Sequence, residues 1–169
     1  MVDDFAKIMT NKFQMSMNRE IIFFIGLQVK QDPQGIFINQ EKYTSELLKK
    51  YRMDNCSSTK VPMSFGYKIS VDPSGESVDH KTYRGMIGSM MYLTASRPNI
   101  VFATGVCARY QADPNISHTT TVKQILRYLK GSKALGLWYP ARNDFNLQAF
   151  RDTDHVGCRL DRKITFGGC

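Results

Sequence analysis

Residues 78–140 read VDHKTYRGMIGSMMYLTASRPNIVFATGVCARYQADPNISHTTTVKQILRYLKGSKALGLWYP. Three helical patterns follow one another here, each with its own start and stop. Tyr83, Met86, Ile87, Met90 and Met91 recur at i, i+3, i+4, i+7 and i+8, which places them on one helical face. Gly85, Gly88 and Ser89 are small and would admit a close neighbour. Pro98 ends this helix and suits the first turn of the next, where a missing N–H costs nothing. Ile100, Thr104, Cys107 and Tyr110 or Gln111 continue the second helix until Asp113-Pro114 closes it. Ser117 is expected to cap a third helix. That helix buries Val122, Ile125, Leu126 and Leu129 and stops at Gly131. Lys123, Arg127 and Lys130 line up on another face at i, i+4 and i+7. Three cations at that spacing fit a row of phosphates, and a plain solvated face fits them nearly as well. Nothing in the stretch reads as a catalytic group, so it suggests a part that holds a substrate for chemistry done elsewhere.

The whole chain has 169 residues, enough for one large domain or two small ones. A formal charge of +8 favours an anionic partner, of which nucleic acid is the commonest. A basic protein with no such partner is the plainer alternative. Cys56, Cys107, Cys158 and Cys169 are scattered without a CxxC pair, which argues for a reduced compartment and against a disulfide framework. His155 and Cys158 have a ligand-like spacing but no second pair to complete a zinc site. No apolar run reaches the roughly 18 residues that a membrane span needs. The acidic start at Asp3 and Asp4 is not a secretion signal. Both ends look abrupt, as in a piece of something longer.

Upstream of the central stretch, Asp3 or Asp4 can cap a first helix with Phe5, Ile8, Met9 and Phe13 on one side. Adjacent aspartates also hold metal ions in polymerase turns, but that needs a strand after the pair, and the period here is helical. Residues 21–30 are rich in β-branched and aromatic types and are expected to form one buried strand. Pro33 and Gly35 reverse the chain, and residues 36–38 return as a hairpin. Asn39 is expected to cap a helix whose apolar face is Tyr43, Leu47, Leu48 and Tyr51. Lys42, Lys49, Lys50 and Arg52 lie off that face, either solvated or as a nucleic-acid grip. Residues 56–77 have no periodicity and read as a linker draped over the surface, anchored by Val61, Met63 and Ile69.

Downstream, residues 135–139 read as a strand ending at Pro140, and Asn143-Asp144 as a turn. Residues 145–150 alternate as a strand does and run into Arg151-Asp152-Thr153-Asp154. Two carboxylates at a strand end form either a metal site or an ordinary turn pair. A basic run, residues 159–163, follows Gly157.

The order of these phrases resembles one family, the Pol polyprotein of copia-type long-terminal-repeat retrotransposons, especially the plant members. The matching phrases are FFIGLQVKQ at 23–31, GIFINQEKYTSELLKKY at 35–51, MDNC with TKVPM near 53–63 and YRGMIGSMMYLTASRPNIVFA at 83–103. They continue with CARYQADPNISH at 107–118, VKQILRYLKGSKALGLWYP at 122–140, and DTDHVGC with DRKITFGG at 152–168. The resemblance spans essentially the whole chain. It implies the late palm and thumb of a reverse transcriptase, then connecting helices, then the first strand of ribonuclease H. The family's catalytic Tyr-Val-Asp-Asp turn would lie before this chain, and Val2-Asp3-Asp4 does not match it. The hairpin near Gly26 to Ile38 resembles the part that supports the primer end.

The implied fold class is α+β: a β-hairpin plus thumb and connection helices, ending in the first strands of an incomplete ribonuclease H-like domain. The implied divisions are 1–55 (late palm and thumb-like helix), 56–77 (linker), 78–131 (connection-like helices) and 132–169 (truncated ribonuclease H-like start). Asp152 matches the first metal-binding aspartate of the family's Ser-Asp-Ala-Asp motif, and Asp154 the second, with its role left open. Ribonuclease H needs about four carboxylates around two metal ions, so Asp152 alone would be a remnant. The expected partner is an RNA–DNA hybrid or template–primer, bound weakly and without sequence preference through Lys42, Lys49, Lys50, Lys123, Arg127 and Lys130. The rest of Pol is the expected protein partner, and no membrane is. No cofactor is expected of the chain alone, and Mg2+ of the intact parent. Asn18-Arg19-Glu20-Ile21, Arg151-Asp152-Thr153-Asp154 and Lys163-Ile164-Thr165-Phe166-Gly167 depart from the family's Met-Gly-Glu-Leu, Ser-Asp-Ala-Asp and Lys-Ser-Thr-Ser-Gly like drift in a decaying copy. The alternatives are a domesticated or host-fused interaction domain without enzymatic activity, and a translated relic.

Overall fold

The three helices expected between residues 80 and 131 are present and make the core. α3 (His80–Leu93) and α4 (Val101–Ala108, entered through a 3-10 turn at Pro98–Ile100) pack with α5 (Ile116–Gly131). α2 (Glu41–Lys50) closes the group against α5. Ile87, Met90, Leu93, Ile100, Cys107, Val122, Ile125, Leu126, Leu129 and Leu48 have no solvent exposure. Full burial of one such side chain contributes about 1.5–3 kcal/mol. The computed structural model describes residues 2–15, 21–64, 69–141, 151–154 and 165–168. The expected turn at Asn143-Asp144, the strand over 145–150, the His155–Cys158 pair and the basic run 159–163 lie outside the described residues, as do residues 18–20.

Several expected helix ends move. Asn115, not Ser117, caps α5: its side chain accepts from the backbone of His118, and the His118 ring accepts from the backbone of Asn115. Ser117 sits in the first turn and donates to the Asn115 side chain. Gln40 stands at the N-cap of α2 in place of Asn39, with no side-chain cap bond. Gly131 is not a left-handed stop. It is the last residue of α5, with Ser132 as C-cap, and a Cβ there would press on Ser58. The chain leaves α2 through Arg52 at φ 57°, with Arg52 N–H on the Lys49 carbonyl and Met53 N–H on the Leu48 carbonyl. That reciprocal pair closes a helix end where glycine is usual. Asp79 caps α3 through bonds from the Lys81 and Thr82 amides. Met91, expected on the buried face of α3, is 56% exposed. The eighth position has drifted off the face because the true repeat is 3.6 residues.

The largest correction concerns residues 21–30. They form not one buried strand but two, β1 (Phe23–Phe24) and β2 (Leu27–Asp32), joined by a two-residue turn at Ile25–Gly26. Both turn residues have positive φ, 48° and 75°, as the tightest hairpin turns require. The side chains of Ile21, Ile22, Phe23, Phe24 and Ile25 are all more than half exposed. β2 pairs antiparallel with β3 (Gly35–Asn39), and Asp32 receives bonds from the Gln34 and Gly35 amides at 2.8 and 3.1 Å. β3 pairs in turn with β4 (Gly136–Pro140), so the strand after α5 returns to the sheet made before α2. Gly35 serves this pairing rather than the reversal, since a Cβ there would strike the Tyr139 carbonyl. Gly136 faces the Ile38 carbonyl in the same way.

The four-stranded sheet β1-β2-β3-β4 supplies no side chain to the buried core. Residues 3–12 of α1 (Val2–Lys12) supply none either, and Phe5 and Ile8 are exposed. Asp3 and Asp4 fall in its first turn, as the helical reading expects. Residues 56–64 and 69–77 follow the surface of the helical core. Cys56, Met63 and Ile69 pack on it, whereas Val61 is exposed. β5 (Arg151–Asp154) and β6 (Thr165–Gly168) form a separate antiparallel pair, with Asp152 opposite Gly167 and Asp154 opposite Thr165.

Candidate nucleic-acid interface

Two cationic surfaces are built on helices whose other sides are locked in one core. On α2, Thr44, Leu47 and Leu48 are buried while Lys42, Lys49 and Lys50 are exposed. The Lys50 ammonium lies 5.3 Å from the Tyr51 ring centre. On α5, Val122, Ile125, Leu126 and Leu129 are buried while Lys123 and Arg127 are exposed. Lys130 differs from its neighbours. It is half-buried, and its ammonium donates to the Cys56 carbonyl, tying the linker to the helix. Thr59 and Ser64 of the linker also meet α5, at the Gln124 carbonyl and the Gln124 side chain.

The hairpin β1–β2 adds aromatic surface beside α2. Phe23 and Phe24 are exposed, and the Lys42 ammonium lies 5.9 Å from the Phe23 ring centre. The Lys42 amide donates to the Gln28 side chain at 3.0 Å, which ties the start of α2 to β2. The Tyr92 hydroxyl of α3 donates to the Ile25 carbonyl at the tip of the turn. A shallow cleft of about 590 Å³ lies beside β2, with Ile22, Val29 and Phe37 among its apolar lining and Gln28, Asn39 and Glu41 among its polar groups. Tyr92 and the turn at Ile25–Gly26 escape the sequence reading. The one available signal was a glycine inside an apolar strand-like run.

The buried titratable groups serve the fold. Burial holds the Tyr83 phenol in its neutral form, and its hydroxyl donates to the Cys107 carbonyl at 2.8 Å. Burial likewise pushes the Cys107 thiol up to about 12, so it is no nucleophile. Arg97 is buried, which pulls its pKa below the usual value, and it is held by Asn99 and Ser132. Among the described residues, no group of three or more His, Cys, Asp or Glu side chains could hold a metal ion. Asp152 and Asp154 occupy alternate positions of β5. No helix among the described residues is long and apolar enough to cross a membrane.

Comparison with known proteins identifies this assembly. Residues 1–65 match the family described as reverse transcriptase (RNA-dependent DNA polymerase). The uncharacterized mitochondrial protein AtMg00810 of Arabidopsis thaliana is 30% identical over 95% of this chain and 67% of its own length. The retrovirus-related Pol polyprotein from transposon RE1, also of Arabidopsis thaliana, is 30% identical over 94% of this chain. That from transposon TNT 1-94 of Nicotiana tabacum is 31% identical over 85%. This chain spans 11% of each of those two polyproteins. No solved structure matches it. The chain belongs to the reverse-transcriptase family of copia-type retrotransposon Pol polyproteins.

Proposed function

We propose that this chain is a fragment of a retrotransposon RNA-directed DNA polymerase and ribonuclease H that keeps template–primer-binding parts and neither complete active site. The carrying observation is the placement of Lys49 and Lys50 on α2 and of Lys123 and Arg127 on α5, exposed on two helices that pack together. Cations held on rigid helices face a phosphate backbone without first having to be ordered, and sequence plays no part in that contact. Phe23 and Phe24 add rings on which unpaired bases can stack, at about 1–3 kcal/mol per base. The Lys42 ammonium stands beside Phe23. Lys130 contributes the donors that Cys56 leaves free.

The ribonuclease H part of the reading rests on the family motif and on the β5–β6 pairing. In the intact parent, Mg2+ would neutralise charge on the phosphoryl group. Asp152 would be one of its ligands and Asp154 a neighbour of open role. Asp152 and Asp154 by themselves fall short of the roughly four carboxylates that such a site needs, and we assign them no catalysis.

The test is fluorescence anisotropy of the purified chain with a mixed-sequence RNA–DNA hybrid across a salt series. Binding at low salt, independent of sequence and falling linearly in log–log form with salt, supports the reading. No binding at low salt removes it. Mg2+-dependent cleavage of the hybrid by the purified chain would overturn the assignment of an incomplete nuclease.

A further inference from the structure

We propose that Tyr92 is a positioning residue: its hydroxyl sets the direction of the β1–β2 hairpin and therefore of the aromatic surface offered to nucleic acid. The inference rests on the template–primer reading above and adds a residue of α3 to it. Four observations carry it.

The hairpin has no anchor in the core, since no side chain of the sheet belongs to the buried cluster. The β2–β3 ladder holds its β2 edge, and two side-chain hydrogen bonds reach it from the helices. One is the bond from the Lys42 amide to Gln28. The other reaches the tip, where the Tyr92 hydroxyl donates to the Ile25 carbonyl across 67 residues of sequence. That carbonyl lies in the loop, outside the ladder that Phe24 and Leu27 close.

The tip is shaped for this approach. A Cβ on Gly26 would overlap the Tyr92 hydroxyl. Gly26 is therefore needed twice, for its φ of 75° and for its missing side chain.

The donor is itself held. The Tyr92 ring stands edge-on to Tyr43, with centres 4.8 Å apart and planes at 71°. The Tyr43 hydroxyl meets the Ser89 carbonyl at 3.5 Å. Two aromatic rings on α2 and α3 thus form a rigid post beneath the turn.

The turn is also strained in a way that local sequence does not explain. Ile25 is β-branched, has φ 48° and leaves 73% of its side chain exposed. A β-branched residue rarely accepts this conformation. Without an outside bond the turn would sample other conformations, and the placement of β1 with its exposed Phe23 and Phe24 would loosen.

The experiment compares the full chain with Tyr92→Phe and with a Phe23→Ala/Phe24→Ala variant. Each is measured by amide NMR with hydrogen exchange, by thermal melting, and by anisotropy at low salt with an RNA–DNA hybrid that carries a single-stranded template overhang. Tyr92→Phe keeps the ring on Tyr43, so core melting is expected to stay at the wild-type value. The amide resonances of residues 25–27 shift and their exchange rises about three- to tenfold, the range for one lost hydrogen bond. Hybrid affinity falls by a similar factor, and the double Phe variant falls at least as far. Unchanged turn resonances in Tyr92→Phe overturn the inference. So does unchanged hybrid affinity in Tyr92→Phe while the double Phe variant is weakened. Binding that neither variant alters, or a wild-type chain that does not bind, instead removes the hairpin from the template–primer reading, and the role of Tyr92 in recognition falls with it.

Discussion

Arg97 donates two hydrogen bonds to Ser132, one to its carbonyl at 2.8 Å and one to its hydroxyl at 2.7 Å. The guanidinium is buried between the entry to α4 and the end of α5, and Tyr128 offers its ring 5.9 Å away. The side chain keeps its charge through this fork and through Asn99 at 3.3 Å. A lysine would keep the charge and lose the planar geometry. Arg97→Lys is expected to lower unfolding stability by about 1.5–3 kcal/mol in urea. An unchanged midpoint and slope would mean that the fork contributes nothing.

His118 is buried at the start of α5, and both ring nitrogens are engaged. Nδ1 accepts from the Asn115 amide at 3.1 Å, so the proton sits on Nε2, which donates to the Ser70 carbonyl at 2.8 Å. The ring also stacks on Tyr110 at 4.2 Å. One side chain therefore caps a helix and pins the linker. His118→Ala is expected to cost about 2–4 kcal/mol, as two bonds and a packed ring are lost. Limited proteolysis should cut within residues 69–77 faster than in wild type. Cleavage at the wild-type rate would show that Asn115 and Tyr110, which bond Val71, Asp72 and Ile69, hold the linker unaided.

The cap of α3 gives a pH dependence. The Thr82 hydroxyl, followed by its backbone amide, holds the Asp79 carboxyl below its ordinary value of 3.8. A lowered carboxyl contributes stability above its unfolded pKa and loses it as pH falls through the folded one. Asp79→Ala should therefore be less stable than wild type at pH 6, and the two should converge below pH 3.8. A gap that persists at the acid end would assign the effect to packing instead of charge.

The turn at Ile25–Gly26 separates strain from contact. Asn accepts positive φ far better than Ile, so Ile25→Asn should slow amide exchange in β1–β2, a gain of about 0.5–1 kcal/mol. Gly26→Ala should do the reverse by about 1–2 kcal/mol, from φ alone, with the encounter with Tyr92 added. Faster exchange in Ile25→Asn would show that the Ile25 side chain holds the turn despite its exposure.

The cations on α5 are expected to divide by environment. Lys123→Ala/Arg127→Ala should weaken hybrid binding and lower the salt slope by about 1–2, one counterion for each lost contact. Lys130→Ala should change the slope less and loosen the linker, because its ammonium is bonded to the Cys56 carbonyl. Equal slopes for wild type and the double variant would place the phosphates elsewhere.

Much of the helical core was legible in sequence because its signal is local. Tyr83, Met86, Ile87 and Met90 recur at helical spacing and are all buried, as are Val122, Ile125, Leu126 and Leu129. Lys123 and Arg127 are exposed for the same reason, since residues between the buried positions of a helix must face water. The caps were less legible. Asn115 and Ser117 are both good caps by residue type, and the choice fell to Asn115 because His118 could answer it from the third position. In the sheet the apolar content of residues 21–30 misled, because among the described residues none of those side chains belongs to the buried core.

The family, the helices and the excess positive charge were legible before any contact was known. These follow from residue order, from the 3.6-residue period and from composition, and none depends on distant contacts. Tertiary structure alone decided where the polar and strained groups are used. It tied Lys130 to Cys56, Arg97 to Ser132 and Tyr92 to Ile25, and it returned β4 to β3. Each of those pairs joins residues more than thirty positions apart. Hydrogen bonds act only within about 3.5 Å, so such partners exist only once the helices have packed and brought them together.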